Sequence, residues 1–125
     1  MADIILVEDN ASIARAYAKG LEVGGHRVRI AASEQTLRQL LEAQVPDLVI
    51  LDIGLPGIDG LEILRELREE PNTAQTKVAI LSNYSDRNLV HRALRLDAID
   101  YLEKTAVTPS LLVDQVERWL ARQPG

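Results

Sequence analysis

Residues 48–67 read LVILDIGLPGIDGLEILREL, and this stretch decides the fold. Its first four residues form a continuous apolar run, which is typical of a strand buried on both faces of a parallel sheet. Asp52 follows the run directly, and Leu55 to Gly60 has the Pro, Gly and Asp content of a loop. Leucines then recur at helical spacing, at Leu61, Leu64 and Leu67. The stretch therefore predicts a strand, a loop and a helix, with an acid where the strand ends.

Further units of this kind lie along the chain. Apolar runs at residues 4–7 and 78–81 predict two more buried strands, while residues 27–30 and 99–102 predict strands that carry charge. Helices are predicted from residue 10 to about 23, after Ser33, from 86 to 96, and from a Thr108 cap to about 121. The face of the first helix that is predicted to pack on the core consists of Ile13, Tyr17, Ala18 and Leu21.

The order of the strands follows from their composition. Strand–helix units in alternation predict an α/β fold with a parallel sheet covered on both faces. Central parallel strands are apolar on both sides, whereas edge strands tolerate charge, and the second and fifth strands contain Arg27, Arg29 and Asp100. With right-handed crossovers, the predicted fold is a doubly wound five-stranded parallel sheet of order 2-1-3-4-5, with five helices on its two faces.

Length and composition restrict the possible functions. The 125 residues predict a single domain spanning 1–125. The absence of cysteine excludes disulfides and thiolate chemistry, and it fits a cytoplasmic protein. The net charge of −5 argues against a nucleic-acid surface, and no apolar run approaches the roughly 20 residues of a membrane span.

Polar side chains lie at the ends of the predicted strands. Glu8 and Asp9 follow the first strand, Asp52 the third, Ser82 the fourth and Lys104 the fifth. Taken singly, each has a common structural role as a helix cap, a turn residue or a solvated lysine. Since all of them would meet at the carboxyl edge of the sheet, where doubly wound folds bind ligands, together they predict a functional site.

The chemistry of this group favours magnesium-assisted phosphoryl transfer. Neighbouring carboxylates repel one another, and a hard cation such as Mg²⁺ relieves the repulsion through oxygen ligands. Asp9 and Asp52 can each supply one oxygen, and the backbone carbonyl of Gly54 a third. A carboxylate can also be the nucleophile that forms an aspartyl phosphate, while Lys104 and the Ser82 hydroxyl bind phosphoryl oxygens.

Four fragments resemble the receiver domain of bacterial two-component response regulators. They are ILVED at residues 5–9, DIGLPGIDG at 52–60, LS at 81–82 and DYLEK at 100–104. The second is the most specific, because family members share its Asp, Pro and Asp-Gly at these offsets. The resemblance implies that Asp52 is the phosphoacceptor, that Glu8 and Asp9 form the acidic pair that positions Mg²⁺, and that Lys104 binds the phosphoryl group.

The resemblance also implies a switch and its partners. Phosphorylation would draw Ser82 inward, and Tyr101 would rotate into the vacated space, so that the face of helix 4, strand 5 and helix 5 changes shape. The phosphodonor would be a sensor histidine kinase or a histidine phosphotransfer protein. Charges on the switching face could pair two copies as a homodimer or simply be solvated. The chain would be a signalling domain, not an enzyme beyond its own phosphorylation and dephosphorylation, and would bind neither nucleic acid nor membrane.

Some positions depart from the family pattern. Thr105 follows Lys104 where the family usually has Pro after a cis bond, so we expect either a trans bond with a shifted loop or a retained strain. Asn83 replaces a small residue, and its amide could enter the site or fill the space that Tyr101 needs. Asp97 replaces the usual Gly, which predicts a left-handed or looser Asp at the end of a helix. Tyr84 is predicted to cover the mouth of the pocket and to affect the lifetime of the phosphate.

Three other functions compete with the phosphorylation switch. A phosphatase of the haloacid dehalogenase type usually has a second Asp two residues after its nucleophile, where this chain has Gly54. A flavodoxin-like FMN carrier needs a hydroxyl-rich phosphate loop after the first strand, and Glu8 and Asp9 would repel phosphate there. A pseudo-receiver that binds a partner without phosphorylation stays open because of Asn83 and Thr105.

Overall fold

The computed structural model describes residues 2–54, 59–83 and 86–122. Its strands are β1 (Asp3–Val7), β2 (Arg27–Ala31), β3 (Leu48–Asp52), β4 (Lys77–Ser82) and β5 (Asp100–Glu103). Its helices are α1 (Ala11–Val23), α2 (Glu34–Ala43), α3 (Gly60–Glu69), α4 (Arg87–Arg95) and α5 (Pro109–Ala121), with a 3₁₀ turn at Lys104–Ala106. None of the helices in these ranges is long and apolar enough to cross a membrane. Residues 55–58 of the loop predicted at 55–60 and the predicted cover Tyr84 lie outside the described residues.

The strands form one parallel sheet in the order β2-β1-β3-β4-β5, which confirms the predicted topology. Successive strand side chains point to opposite faces, so the central strands supply two cores. One core lies under α2, α3 and α4, and the other lies under α1 and α5. Trp119 is fully buried in the second core and donates its Nε1–H to Asp100 at 3.2 Å. This bond gives the acid on edge strand β5 a structural role.

The predicted ends of several helices are confirmed. The hydroxyls of Ser33 and Thr108 accept from backbone N–H groups in the first turns of α2 and α5, at 3.2 Å in each case. Asp97, just beyond α4, has a φ of 60°, the left-handed conformation expected where an Asp replaces a Gly. These features depend on local chemistry, which is why the sequence reveals them.

Two details of the prediction are wrong. Ile13 is 36 % exposed, and the buried face of α1 contains Ala14 in its place. Ala14, Tyr17, Ala18 and Leu21 follow the i, i+3, i+4, i+7 spacing of one helix face, and Ile13 lies about 90° from the middle of that face. Strand β5 lies one residue later than predicted, because its ladder with β4 continues to the pair Ser82 and Glu103.

Basic side chains cap the helix C-termini at the amino edge of the sheet. Arg68 donates to the Leu96 carbonyl at 2.8 Å beyond α4, and Lys77 donates to the Trp119 carbonyl at 3.1 Å in α5. Arg29 donates to a carbonyl in the last turn of α2 at 2.9 Å. The helix N-termini accordingly gather at the carboxyl edge, where the helix dipoles favour negative charge.

Candidate functional site

Asp52 lies at the carboxyl end of the central strand β3, and only 3 % of its side chain is exposed. Its Oδ1 accepts from the Gly54 N–H at 2.8 Å, and its Oδ2 lies 2.5 Å from the Lys104 ammonium nitrogen. A Cβ added to Gly54 would come within 3.3 Å of Oδ1, tighter than ordinary van der Waals contact. The backbone at Gly54 and the ammonium of Lys104 therefore hold this carboxylate in one orientation.

Glu8 shares the same ammonium. It follows β1, its side chain is 1 % exposed, and its Oε1 lies 2.5 Å from Lys104 Nζ. The contact is an ion pair, and among the described residues Oε1 has no hydrogen-bond partner besides this ammonium. The other oxygen accepts from the Asn10 N–H at 3.2 Å. One cation thus bridges two buried carboxylates.

The three side chains Glu8, Asp52 and Lys104 together leave negative charge uncompensated. Burial raises the pKa of the Glu8 carboxyl above its usual value, although Lys104 and the Asn10 N–H oppose the rise, and the Asp52 charge adds to it. For Lys104, burial disfavours the charged form, but its contacts with Asp52 and Glu8 outweigh burial and raise its pKa. The lysine stays protonated, and Glu8 is the carboxylate whose charge a second cation would relieve.

The carboxylates suit a divalent cation. Oxygens of Glu8, Asp9 and Asp52 lie within 4.8 Å of one another, with Asp9 exposed and the other two buried. All are hard oxygen donors, and two buried carboxylates share a single ammonium, so the residues present fit Mg²⁺. For Gly54, the structure places the N–H on Asp52, and its carbonyl as a metal ligand stays a prediction.

Lys104 reaches the site without a proline at position 105. The Lys104–Thr105 bond is trans, and Lys104 begins the 3₁₀ turn, which the Val107 N–H closes by donating to the Lys104 carbonyl at 3.2 Å. Of the two expected alternatives, the trans bond is therefore found. The Tyr17 hydroxyl donates to the Val107 carbonyl at 3.0 Å, a contact across 90 residues of sequence. Sequence reasoning treated Tyr17 only as a core residue, and no local pattern signals this bond.

The predicted switch residues lie on β4 and β5. Ser82 ends β4 and is fully buried, while Tyr101 on β5 is half-buried and packs against the core under α2, α3 and α4. Asn83 is exposed, and a Cβ on Gly54 would lie 3.7 Å from its Nδ2. The amide of Asn83 therefore borders the site, as its position in the sequence suggested.

The start of α3 is held close to β3. Asp59 caps the helix by accepting from the Leu61 N–H at 3.0 Å. A Cβ on Gly60 would lie 2.6 Å from the Ile53 Cα, a distance that real Cβ atoms do not adopt. Only glycine allows this approach, which places the N-terminus of α3 beside the residue that follows Asp52.

Comparison with known proteins identifies relatives over nearly the whole chain. The sequence matches the family model of the response regulator receiver domain over residues 4–117. The transcriptional regulatory protein AfsQ1 of Streptomyces coelicolor is 39 % identical over 104 residues, which cover 83 % of this chain and 45 % of that protein. The KDP operon transcriptional regulatory protein KdpE of Escherichia coli is 40 % identical over 106 residues, covering 83 % and 45 %.

The structural comparison agrees with the sequence comparison. A crystal structure of a response regulator from Thermotoga maritima matches with a TM-score of 0.85 and 28 % sequence identity, covering 96 % of this chain and 98 % of that one. This chain spans about half the length of the curated relatives AfsQ1 and KdpE.

Proposed function

This chain belongs to the response regulator receiver domain family of two-component signalling, and we propose that it is a phosphorylation switch whose acceptor is Asp52. The observation that carries the proposal is the Lys104 ammonium held 2.5 Å from both Asp52 and Glu8. A buried carboxylate beside a fixed cation and further acids suits phosphoryl transfer, which depends on positioning and charge neutralisation. A single domain over residues 1–125 stays a prediction.

In the proposed reaction, a carboxylate oxygen of Asp52 attacks the phosphorus of the donor. A bond forms between this oxygen and phosphorus while the bond from phosphorus to the donor breaks. With a phosphohistidine donor, the electron pair of the broken bond stays on the imidazole nitrogen. The Gly54 N–H keeps the attacking carboxylate oriented, and Lys104 supplies positive charge to one phosphoryl oxygen.

We propose Mg²⁺ as the cofactor, held by Glu8, Asp9 and Asp52. When bound, Mg²⁺ would neutralise part of the charge on the phosphoryl oxygens. Asp9 is exposed to solvent, whereas Glu8 is buried. This difference in exposure supports Asp9 as a direct ligand, with Glu8 adding negative charge at the site.

The proposed output uses Ser82 and Tyr101. A phosphoryl group on Asp52 brings new acceptor oxygens to the end of β3, next to β4, where the Ser82 hydroxyl can donate to one of them. Tyr101 lies on the adjacent strand β5, so a shift at the end of β4 changes the space beside its ring. The face formed by α4, β5 and α5 then moves between two states.

The proposed partners follow from the same chemistry. The phosphodonor is a histidine kinase or a histidine phosphotransfer protein, and the switching face contacts an output partner or a second copy. The relatives AfsQ1 and KdpE are transcriptional regulatory proteins of about twice this length. We infer that this chain performs the regulatory half of such a system in the cytoplasm, as a signalling domain that catalyses only its own phosphorylation and dephosphorylation.

The test of the proposed function is intact-mass analysis after incubation with acetyl phosphate. We expect the protein to gain one phosphoryl group when Mg²⁺ is present and none when a chelator removes it, because charge neutralisation is needed for transfer. Phosphoryl uptake in the presence of the chelator would show that the transfer does not need Mg²⁺. No uptake from either acetyl phosphate or a panel of phosphorylated histidine kinases would favour the pseudo-receiver.

Mg²⁺ should also stabilise the folded protein. A ligand that binds only the folded state adds about 1.4 kcal/mol of stability at ten times its Kd, which calorimetry detects as a higher Tm. We expect Asp9→Asn to weaken Mg²⁺ binding by at least about ten-fold, because removing even a side chain that only hydrogen-bonds to a metal ligand weakens metal binding by that factor. Asp114→Asn, which removes an exposed acid on α5, is the matched control and should bind Mg²⁺ normally. Equal Mg²⁺ affinity in both variants would exclude Asp9 as a ligand.

A further inference from the structure

The turn that carries Lys104 has little of its own to hold it in place. It comprises only Lys104–Ala106, no side chain caps it, and the Val107 N–H to Lys104 carbonyl bond closes it. Thr105 and Ala106 are exposed, so neither anchors the turn in a core. Short 3₁₀ turns have poor hydrogen-bond geometry and contribute little stability by themselves. The position of the Lys104 ammonium therefore depends on contacts with the rest of the fold.

Tyr17 supplies such a contact from α1. This residue is only 6 % exposed and lies in the core shared by α1 and α5, and its hydroxyl donates to the Val107 carbonyl at 3.0 Å. Burial raises the pKa of Tyr17, so the hydroxyl keeps its proton and remains a donor. Val107 in turn donates its N–H to the Lys104 carbonyl. A rigid ring on a buried helix face is thus connected to Lys104 through two hydrogen bonds.

We propose that Tyr17 is a positioning residue: its hydroxyl holds the turn from Lys104 to Val107, and thereby the Lys104 ammonium, against Asp52 and Glu8. Within the described residues, Tyr17 forms no hydrogen bond with either carboxylate, and it acts through the backbone of the turn. Its importance for phosphoryl transfer rests on the proposed function, whereas its hold on the turn does not.

Tyr17→Phe removes the hydroxyl and keeps the ring. The Val107 carbonyl then loses its donor. Loss of one hydrogen bond of this kind shifts the equilibrium between the closed and the opened turn by about five-fold. We expect the Val107 amide to exchange with solvent about five-fold faster by NMR, and phosphoryl uptake from acetyl phosphate with Mg²⁺ to slow about five-fold.

Thr73→Val is the matched control. Thr73 is also buried, and its hydroxyl donates to the Leu67 carbonyl at 2.6 Å, in the segment between α3 and β4 at the opposite edge of the sheet. The substitution deletes the same kind of bond and lowers global stability in the same way, but within the described residues no hydrogen bond joins Thr73 to the turn at Lys104. We expect this variant to leave both Val107 exchange and phosphoryl uptake unchanged.

The two measurements separate the possible failures. Unchanged exchange of the Val107 amide in Tyr17→Phe would overturn the positioning role. Equal slowing of phosphoryl uptake in Tyr17→Phe and Thr73→Val would also overturn it, because it would indicate a general loss of stability. If the wild-type protein took up no phosphoryl group, the proposed function would fail, and faster Val107 exchange in Tyr17→Phe would still establish that the hydroxyl holds the turn.

Discussion

Asp52→Asn is expected to abolish phosphoryl uptake from acetyl phosphate. A neutral amide is a poor nucleophile, so the attack on phosphorus loses its electron-rich oxygen. The substitution keeps the shape of the side chain, but an amide offers one acceptor where the carboxylate has two. It can accept from the Gly54 N–H or face Lys104 with its oxygen, but not both. Intact-mass analysis with Mg²⁺ should show one added phosphoryl group in the wild type and none in the variant.

The controls for Asp52→Asn address folding and the identity of the acceptor. Circular dichroism should show the wild-type fold, since the amide is nearly isosteric with the carboxylate. Asp114→Asn removes an exposed acid of α5 and should take up phosphoryl at the wild-type level. Full uptake by Asp52→Asn would place the acceptor elsewhere, and peptide mapping of the modified chain would locate it.

Lys104→Met is expected to have the largest effect on stability. The side chains of Lys104, Glu8 and Asp52 are only 11 %, 1 % and 3 % exposed. Methionine keeps much of the aliphatic volume but removes the charge, which leaves two buried carboxylates without their cation. Breaking a buried ion pair in this way costs about 3 kcal/mol. Urea unfolding at about pH 7.5 should show this loss of stability, and phosphoryl uptake should fall by at least about a hundred-fold because the charge on the phosphoryl group is no longer stabilised.

The loss in Lys104→Met should depend on pH and on Mg²⁺. Burial already raises the folded-state pKa of Glu8 above 4.5, and removing Lys104 takes away an interaction that lowers it. A carboxyl with a raised folded-state pKa destabilises the fold fully above that pKa, and the penalty disappears as pH falls towards the unfolded value of 4.5. The variant should therefore approach wild-type stability as pH is lowered through this range, and also when Mg²⁺ is added.

Lys19→Met is the control for the Lys104 experiment. Lys19 is exposed on α1, and its substitution should change stability by less than about 0.5 kcal/mol at every pH. The stability lost in Lys104→Met could be the same at pH values above and below the Glu8 titration and could fail to respond to Mg²⁺. In that case lost packing would explain the loss of stability. The two carboxylates would then be compensated by other groups.

Much of the fold could be predicted because its signals are local. Apolar runs in β1, β3 and β4 and charged residues in β2 and β5 were enough to order the sheet, since burial on both faces excludes charge from central strands. Ser33, Thr108 and Asp97 marked helix ends through backbone chemistry within a few residues. The inward face of α1 was misjudged at Ile13, because an apolar side chain one position off the helical stripe looks the same in sequence.

The sequence by itself determined which polar residues stand at the strand ends, and parallel topology then required Glu8, Asp9, Asp52, Ser82 and Lys104 to share one edge. Only the tertiary structure decided how they meet there: one ammonium bridges Glu8 and Asp52, and it reaches them with a trans bond before Thr105. It also decided that Tyr17 donates to the Val107 carbonyl. The physical reason is range, because periodicity and caps report contacts within a few residues, whereas these bonds join segments whose separation depends on loop paths and on the packing of whole helices.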